Sequence, residues 1–282
     1  MDKIGKFQVL QTLGTGAHSS ILHIRRDADA KEYALKLVPI DSKDDLKYLE
    51  QAKHEYRVGQ MLSHPNLVKV YGLEMDSGWF SGPKKAKLLI EYVPGKTMDK
   101  LPLLRMAKLL RICERIADGL THMHKQGVIH ADLKPNNLIL GRGTQIKVLD
   151  YGLAWIKGEP KDRVQGTPEY MAPETGNHKM VNERTDIYNL GATMYRLATL
   201  QLPPLAITPP DGLPVTEKSF HEQLQPTRQR NPLVPEGFGN LIDQCLKFNA
   251  NKRPERMSEV QGILDQLADE AAAKCNPADL EE

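Results

Sequence analysis

The sequence predicts an α+β chain whose strands come first and whose helices follow. Two observations carry this. Through residue 93 the chain reads as short apolar runs separated by turn residues, with one charged, helix-like stretch among them. Beyond Pro94-Gly95 helical periodicity takes over: Leu109, Ile112, Ile116, Leu120 and Met123 step by 3, 4, 4 and 3 and so share one helix face. The 282 residues suit one large domain or two small ones, and 40% apolar content is enough for a substantial core. No internal repeat is present.

Residues 7–13 and 21–25 flank a glycine-containing turn and predict a hairpin. Residues 33–38 predict a further strand, with Lys36 inside it. Residues 44–62 are charged and free of Gly and Pro until Gly59, a helix that stops before His64-Pro65. Residues 67–73 and 87–93 predict two more strands. The stripe from Leu109 to Met123 reads as core packing. Short strands follow at 127–129, 138–140 and 146–149, then helices at 183–200, 237–248 and 255–271. Residues 203–235 hold eight of the 19 prolines and read as an ordered irregular connection rather than a polyproline ligand. Residues 270–282 are small, polar and acidic, a frayed, flexible tail.

Charge excludes some partners. Lys and Arg total 38, Asp and Glu 36, for a net charge of +2, so neither nucleic acid nor an acidic membrane surface is expected. Lys84, Lys85 and Lys87 read as a solvated loop before a strand. The three cysteines are widely spaced with no Cys-x-x-Cys pair, which argues against a disulfide framework or zinc site and for a reducing compartment. No apolar stretch reaches the ~20 residues of a membrane helix, and no signal-peptide pattern opens the chain. A cytoplasmic, soluble protein is the expectation.

The chemistry-bearing residues are each ambiguous alone. Gly14 and Gly16 join two strands and let backbone approach a phosphate without a Cβ in the way. A dinucleotide fold would need a helix next and Gly at 19; Ser19 and a strand stand there instead. Lys36 in an apolar strand needs a partner, since a buried unpaired ammonium is costly; Glu55, Glu50, Asp44 and Asp45 all compete for that role. Asp132, Asn137 and the Asp150-Tyr151-Gly152 triplet each read as ordinary turn residues. Their joint order and spacing does not.

Taken together these stretches resemble a protein kinase of the eukaryotic-like serine/threonine type across residues 7–269. Gly14-x-Gly16-x-x-Ser19-x-Ile21 resembles the Gly-rich loop, Ala34-Leu35-Lys36 the third-strand lysine motif, and Glu55 the glutamate of helix C. His130-x-Asp132-x-Lys134-x-x-Asn137 resembles the catalytic loop, Asp150-Tyr151-Gly152 the metal-binding triplet, and Ala172-Pro173-Glu174 the end of the activation segment. Asp186 resembles the aspartate that supports the catalytic loop, and Arg253 the arginine that pairs with Glu174. Lys134 and Gly166-Thr167-Pro168 resemble the serine/threonine subclass.

The resemblance implies a bilobal fold: a small antiparallel-sheet lobe with helix C over about residues 7–92, and a larger, mainly helical lobe over about 96–269. It implies ATP with Mg²⁺ or Mn²⁺ and a protein substrate bearing Ser or Thr. Asp150 and Asn137 would bind the metal. Lys36, oriented by Glu55, would hold the α- and β-phosphates. Asp132 would take the hydroxyl proton, Lys134 would meet the γ-phosphate, and Thr167 would hold the two in register. Leu13, Ile21, Ala34 and Ile139 would form the adenine slot, with Ile90 at its back and backbone groups of Glu91 and Val93 at its edge. His130 is expected in the core below Asp150, and His18 in solvent.

Four departures from the family pattern carry expectations. Ser19 replaces the third loop glycine. Ala131 replaces the Arg that meets an activation-loop phosphate, and no Ser, Thr or Tyr lies between Gly152 and Gly166; together these predict an enzyme needing no activation-loop phosphorylation. Tyr151 replaces Phe, and its hydroxyl needs a partner if buried. Gly59 stands where the family places a large apolar residue. It predicts a gap above Tyr151, a mobile helix C with Glu55 partly swung out, and a gain from Gly59→Leu. A pseudokinase or nucleotide-binding scaffold is the rival reading, which the full set of motif residues disfavours. A small-molecule kinase of the same fold ranks behind it. Lys96, Thr97 and Asn136, where basophilic members carry Glu, leave the substrate sequence open.

Overall fold

The computed structural model describes residues 2–16, 18–78, 82–160, 165–209 and 212–274. They group into two compact units. One takes in the residues up to Ser63, Leu67–Pro94 and Asp150–Gly152; the other takes in His64–Asn66, Gly95–Leu149 and the chain from Leu153 on.

The first unit is a six-stranded antiparallel sheet with one helix. Its strands are β1 (Lys3–Ile4), β2 (Phe7–Thr15), β3 (Ser20–Arg26), β4 (Glu32–Pro39), β5 (Val70–Gly78) and β6 (Gly82–Glu91), in the order β1-β2-β3-β4-β6-β5. Helix α1 spans Leu46–Met61. Side chains alternate across β4. Tyr33 and Leu35 join Ile24, Phe7, Leu22 and Leu89 in one cluster, while Val38 joins Leu49, Ala52 and Ala86 in another that includes the buried side of α1. The register sets Ile21 and Leu88 opposite Lys36, and Ile90 opposite Ala34. Ile21, Ala34, Lys36, Leu88 and Ile90 therefore share one sheet face.

The second unit is mainly helical. It comprises β7 (Lys96–Thr97), α2 (Met106–Lys125), β8 (Val128–Ile129), β9 (Leu138–Leu140), β10 (Ile146–Val148), β11 (Trp155–Ile156), α3 (Pro173–His178), α4 (Glu183–Thr199), α5 (Glu217–Gln223), α6 (Thr227–Arg230), α7 (Glu236–Cys245) and α8 (Met257–Ala272). All five members of the Leu109–Met123 stripe are wholly buried on α2. Arg111 and Asp118 of α2 tie it to Asp265, Asp269 and Gln261 of α8. Helix α4 opens with a capping box: the Asn182 side chain accepts from the Arg184 N–H and the Thr185 hydroxyl accepts from the Asn182 N–H.

Several expectations need correction. Lys84, Lys85 and Lys87 lie within β6, not in a loop. Their charges sit on an exposed hairpin where Lys87 Nζ meets Asp76 Oδ1 across the strands at 2.7 Å. The strand read at 67–73 begins only at Val70, because the preceding backbone bonds elsewhere: Asn66 O accepts from Val148 and Val68 O from Tyr151. The proline-rich connection contains α5 and α6; Thr216 caps α5 by accepting from Ser219 N. Helix α8 runs to Ala272, past the expected start of a frayed tail; residues 275–282 lie outside the described residues. The two-residue strands β1, β7 and β11 are too short to leave a periodic signature.

Gly59 leaves no gap. It is buried on α1, and a Cβ built there would lie 2.5 Å from Val70 Cγ2. Val70 of β5 fills the space that a larger helix residue would otherwise take, so the helix needs this glycine for close approach to the sheet.

Candidate functional site

The site residues fall into two clusters, one in each unit. In the first, β4 supplies Lys36 and α1 supplies Glu55. Lys36 Nζ donates to Glu55 Oε2 at 2.7 Å and lies 3.5 Å from Asp150 Oδ1. Of the four acids that competed on sequence for Lys36, Glu55 is the one it meets. Helix α1 holds Glu55 inward, so the outward position expected from Gly59 is not the one observed.

Burial alone would lower the Lys36 pKa, but the charges of Glu55 and Asp150 outweigh it and hold the ammonium above its ordinary value. Complete burial pushes Glu55 up to about 7, against the pull of Lys36 and with Asp150 adding repulsion. One ammonium thus serves two carboxylates. Glu55 is sealed off, whereas the Asp150 side chain is 42% exposed and faces solvent.

The Asp150-Tyr151-Gly152 triplet is shaped for this. Asp150 takes a left-handed φ of 61°, a conformation Asp tolerates better than most residues. Its Oδ1 accepts from the Gly152 N–H at 3.1 Å. A Cβ at Gly152 would meet Gln51 Nε2 at 2.8 Å, so α1 packs where a side chain would stand. Tyr151 is fully buried and donates its hydroxyl to Val68 O at 2.8 Å. Burial, with the charges of Glu55 and Glu91, keeps that phenol well above its usual pKa, so it remains a neutral donor.

The Gly-rich turn is closed by Gly16 N–H donating to Ser19 O at 2.7 Å. A Cβ at Gly14 would meet nothing within 4 Å, so packing does not demand that glycine. His18 is exposed as expected, but its ring stacks on Tyr48 of α1 with centroids 3.9 Å apart, a contact no sequence spacing reveals. Both rings line a cavity of about 220 Å³, together with Ser19, Lys36, Gln51 and Asp150 among others. Leu13, Ile21 and Ala34 lie on β2, β3 and β4 near this turn; Leu13 falls where the β2–β3 register slips. The Glu91 main-chain N–H is already bonded to Lys69 O at 2.8 Å. Val93 follows β6 without regular structure.

The second cluster sits on the loop between β8 and β9. Asp132 Oδ1 accepts from the N–H and the hydroxyl of Thr167, both at 2.9 Å. Its Oδ2 accepts from Lys134 Nζ at 2.9 Å, and Lys134 also donates to the Thr167 hydroxyl. Asn137 Nδ2 donates to Asp132 O at 2.8 Å, which turns the amide oxygen away from that anchor. Ile139 lies on β9, opposite Lys147.

Asp186, at the start of α4, fixes this loop from beneath. Its Oδ2 accepts from His130 N and from His124 Nε2, and its Oδ1 from Ala131 N, each at 2.8 Å. Ala131 is thereby held at φ 64°, a left-handed conformation unfavourable for a residue with a Cβ. Burial would raise the Asp186 pKa; the donated hydrogen bonds and the His124 and His130 rings outweigh it and hold the carboxyl below its usual range. His130 is buried, as expected. Its Nε2 donates to Leu149 O at 3.1 Å and its Nδ1 accepts from Asp132 N, which fixes the tautomer. Further along, Arg253 makes a paired contact with both Glu174 oxygens, at 2.8 and 2.9 Å.

Among the described residues no group of three or more His, Cys, Asp or Glu is arranged to hold a metal by itself, and no helix is long and apolar enough to cross a membrane. Cys113 and Cys245 are buried free thiols.

Comparison with known proteins agrees with these geometries. A probable serine/threonine-protein kinase of Clostridium acetobutylicum is 26% identical over 93% of this chain and 39% of its own length. Serine/threonine-protein kinase PrkC of Bacillus subtilis is 26% identical over 94% of this chain and 41% of its own length. Aurora kinase B of Mus musculus is 27% identical over 89% of this chain and 70% of its own length. The chain thus spans about two fifths of the length of those bacterial relatives. The model of the protein kinase domain matches residues 7–264. With an antiparallel sheet and helix carrying a Lys36–Glu55 pair, and a helical unit carrying the Asp132 loop, the chain belongs to the protein kinase domain family.

Proposed function

We propose that the chain is an ATP-dependent protein kinase that transfers the γ-phosphoryl group to Ser or Thr hydroxyls. The observation that carries this is the Asp132 carboxylate, oriented by Thr167 through Oδ1 and neutralised by Lys134 through Oδ2. Phosphoryl transfer passes through a loose transition state, so its catalysis is mostly orientation and charge neutralisation. Asp132 accepts the proton of the incoming hydroxyl. Lys134, three donors on a flexible stem, neutralises charge on the transferring group. Lys36, kept cationic by two carboxylates, binds the α- and β-phosphates. Leu13, Ile21, Ala34 and Ile139 bracket the adenine, with main-chain groups of Glu91 and Val93 at its edge.

The exposed Asp150 carboxylate and the Asn137 amide oxygen are the hard oxygen donors that Mg²⁺ or Mn²⁺ prefers, so the donor set fits such an ion. Bound there with the nucleotide, it would supply charge neutralisation across the phosphates.

The reading extends to regulation. Ala131 offers no guanidinium for an activation-loop phosphate, and the segment from Gly152 to Gly166 holds no hydroxyl; its residues 161–164 lie outside the described residues. The proposal is an enzyme active without phosphorylation of that segment. Phosphatase-treated protein should keep its rate, and loss of most of it would refute this part. A cytoplasmic setting is proposed too, supported by the free thiols. No nucleic-acid partner is proposed.

The test of the main reading is Asp132→Asn with a generic protein substrate and labelled ATP. Removing a general base costs about 10²–10⁴ in rate, so transfer should collapse while nucleotide affinity stays. Undiminished turnover would overturn the assignment. No transfer by the unaltered protein, with nucleotide still bound, would favour a scaffold.

A further inference from the structure

A small notch of about 40 Å³ opens in the helical unit beside the Asp132 loop. Its floor is apolar and sealed: Met98, Leu109 and Pro135 are all buried. Two of its lining residues continue directly from groups that bond Asp132. Pro135 follows Lys134 in the chain, and the Tyr170 N–H donates to Thr167 O at 2.9 Å. At ~3.6 Å per residue at most, Pro135 lies within roughly 11 Å of Asp132.

The lip of the notch is built against local preference. Leu200 closes α4 at φ 58°, a left-handed conformation that favours glycine, yet it is a leucine and is 51% exposed. Arg196 fixes it there through both of its main-chain groups. The Leu200 N–H donates to Arg196 O at 2.9 Å, and the Arg196 guanidinium donates to Leu200 O. A strained backbone that presents an apolar side chain to solvent points to something that side chain must meet. Leu197, about one helical turn earlier, stands with it in the lining.

Size and charge define the occupant. A water takes about 30 Å³ of liquid volume, so a notch of about 40 Å³ admits the tip of one branched aliphatic group and not an indole. Sites for free small molecules run to ~300–1,000 Å³, so this group must be carried on a larger molecule that is also held elsewhere. The charged lining residues, Asp99 and Arg196, are one of each sign, which suits an uncharged side chain.

We infer that this notch receives an aliphatic side chain, of valine to leucine size, from the protein substrate, and that Leu197 and Leu200 set the selectivity for it. The inference rests on the kinase reading above and names a feature of its substrate. An extended peptide rises ~3.3 Å per residue, so a chain whose hydroxyl meets Asp132 reaches the notch about two to four residues from the accepting Ser or Thr.

The test is a set of degenerate Ser/Thr peptides with one flanking position fixed at a time, assayed with labelled ATP. At one position two to four residues from the acceptor, Leu, Ile, Val or Met should exceed Ala, Trp, Asp and Lys by at least about fivefold, since each buried methylene contributes roughly fourfold. Leu200→Gly and Leu197→Ala should each level that preference. Glycine adopts the left-handed φ freely, so Leu200→Gly should hold or raise the melting temperature while losing selectivity. A leucine serving only as a helix cap would show no such split. Strong transfer with no aliphatic preference at any of these positions overturns the inference and leaves the kinase reading intact. So does a preference that both variants keep. A dimer in sedimentation that Leu200→Gly splits would assign the notch to a second copy and refute it too. No transfer to any peptide, with ATP still bound, would remove the kinase reading and this inference together.

Discussion

Tyr151 donates its buried hydroxyl to the main-chain oxygen of Val68 at 2.8 Å. The residue that follows the Asp150 carboxylate is thus tied to the strand side of its own unit by a bond Phe could not make. Tyr151→Phe should cost about 1–3 kcal/mol, because the Val68 carbonyl would stay buried without that partner. Chemical denaturation checks this. Stability equal to that of the parent would mean that water replaces the hydroxyl.

Gly59→Ala should destabilise the protein, the reverse of the usual outcome. In an ordinary helix interior that exchange gains ~1 kcal/mol. Here the new Cβ would lie 2.5 Å from Val70 Cγ2, and Val is stiff at χ1. Overpacking of this kind costs about 1–3 kcal/mol, so the clash decides the sign. Gly59→Leu should be worse still. A raised unfolding midpoint in either variant would restore the idea of a gap beneath α1.

Asp186→Asn should lower stability at neutral pH by at least roughly 3 kcal/mol, since bonds to a charged acceptor are worth about 1.5–3 kcal/mol each. The pH dependence has a definite sign. The carboxyl is held below its ordinary value in the folded chain. Its stabilisation is therefore fully present above the unfolded pKa of about 3.9 and is lost as pH falls through the lower folded value. Acid unfolding of the Asn variant should lack that part of the slope below about pH 4. Parallel acid-unfolding curves for the two proteins would contradict this.

Thr167→Ala should reduce kcat by about tenfold or more with little change in unfolding midpoint, because misplacement of a reacting carboxylate by even ~1 Å costs up to 10² in rate. Thr167→Ser keeps the hydroxyl between Asp132 and Lys134 and should restore most of the rate. If Ser and Ala variants are equally slow, the role of this hydroxyl in orientation is wrong.

Much of this was legible in the sequence because it rests on local pattern. The α2 stripe and the β2–β3 hairpin depend on neighbours within a few residues, whereas the motif spacing around Asp132 and Asp150 was legible through resemblance. The Glu55 partnership was legible only through resemblance, since Glu50, Asp44 and Asp45 offered the same charge. Val70 beneath Gly59 was not legible, because the ten residues between them reverse direction before the side chain returns to fill the space. Nor was the Val68 carbonyl that receives Tyr151, 83 positions away. Short strands such as β7 and β11 escaped because two residues make no period.

Asp186 grips consecutive amides at His130 and Ala131 from the first turn of a helix that is itself largely sealed in the interior. The loop ahead of Asp132 is consequently moored to a buried helix. Local rearrangement of the loop cannot carry Asp132 away while that grip holds. A regulator acting on Asp132 would have to tilt α4 or loosen the grip itself, which points any search for control toward the floor of the helical unit rather than its rim.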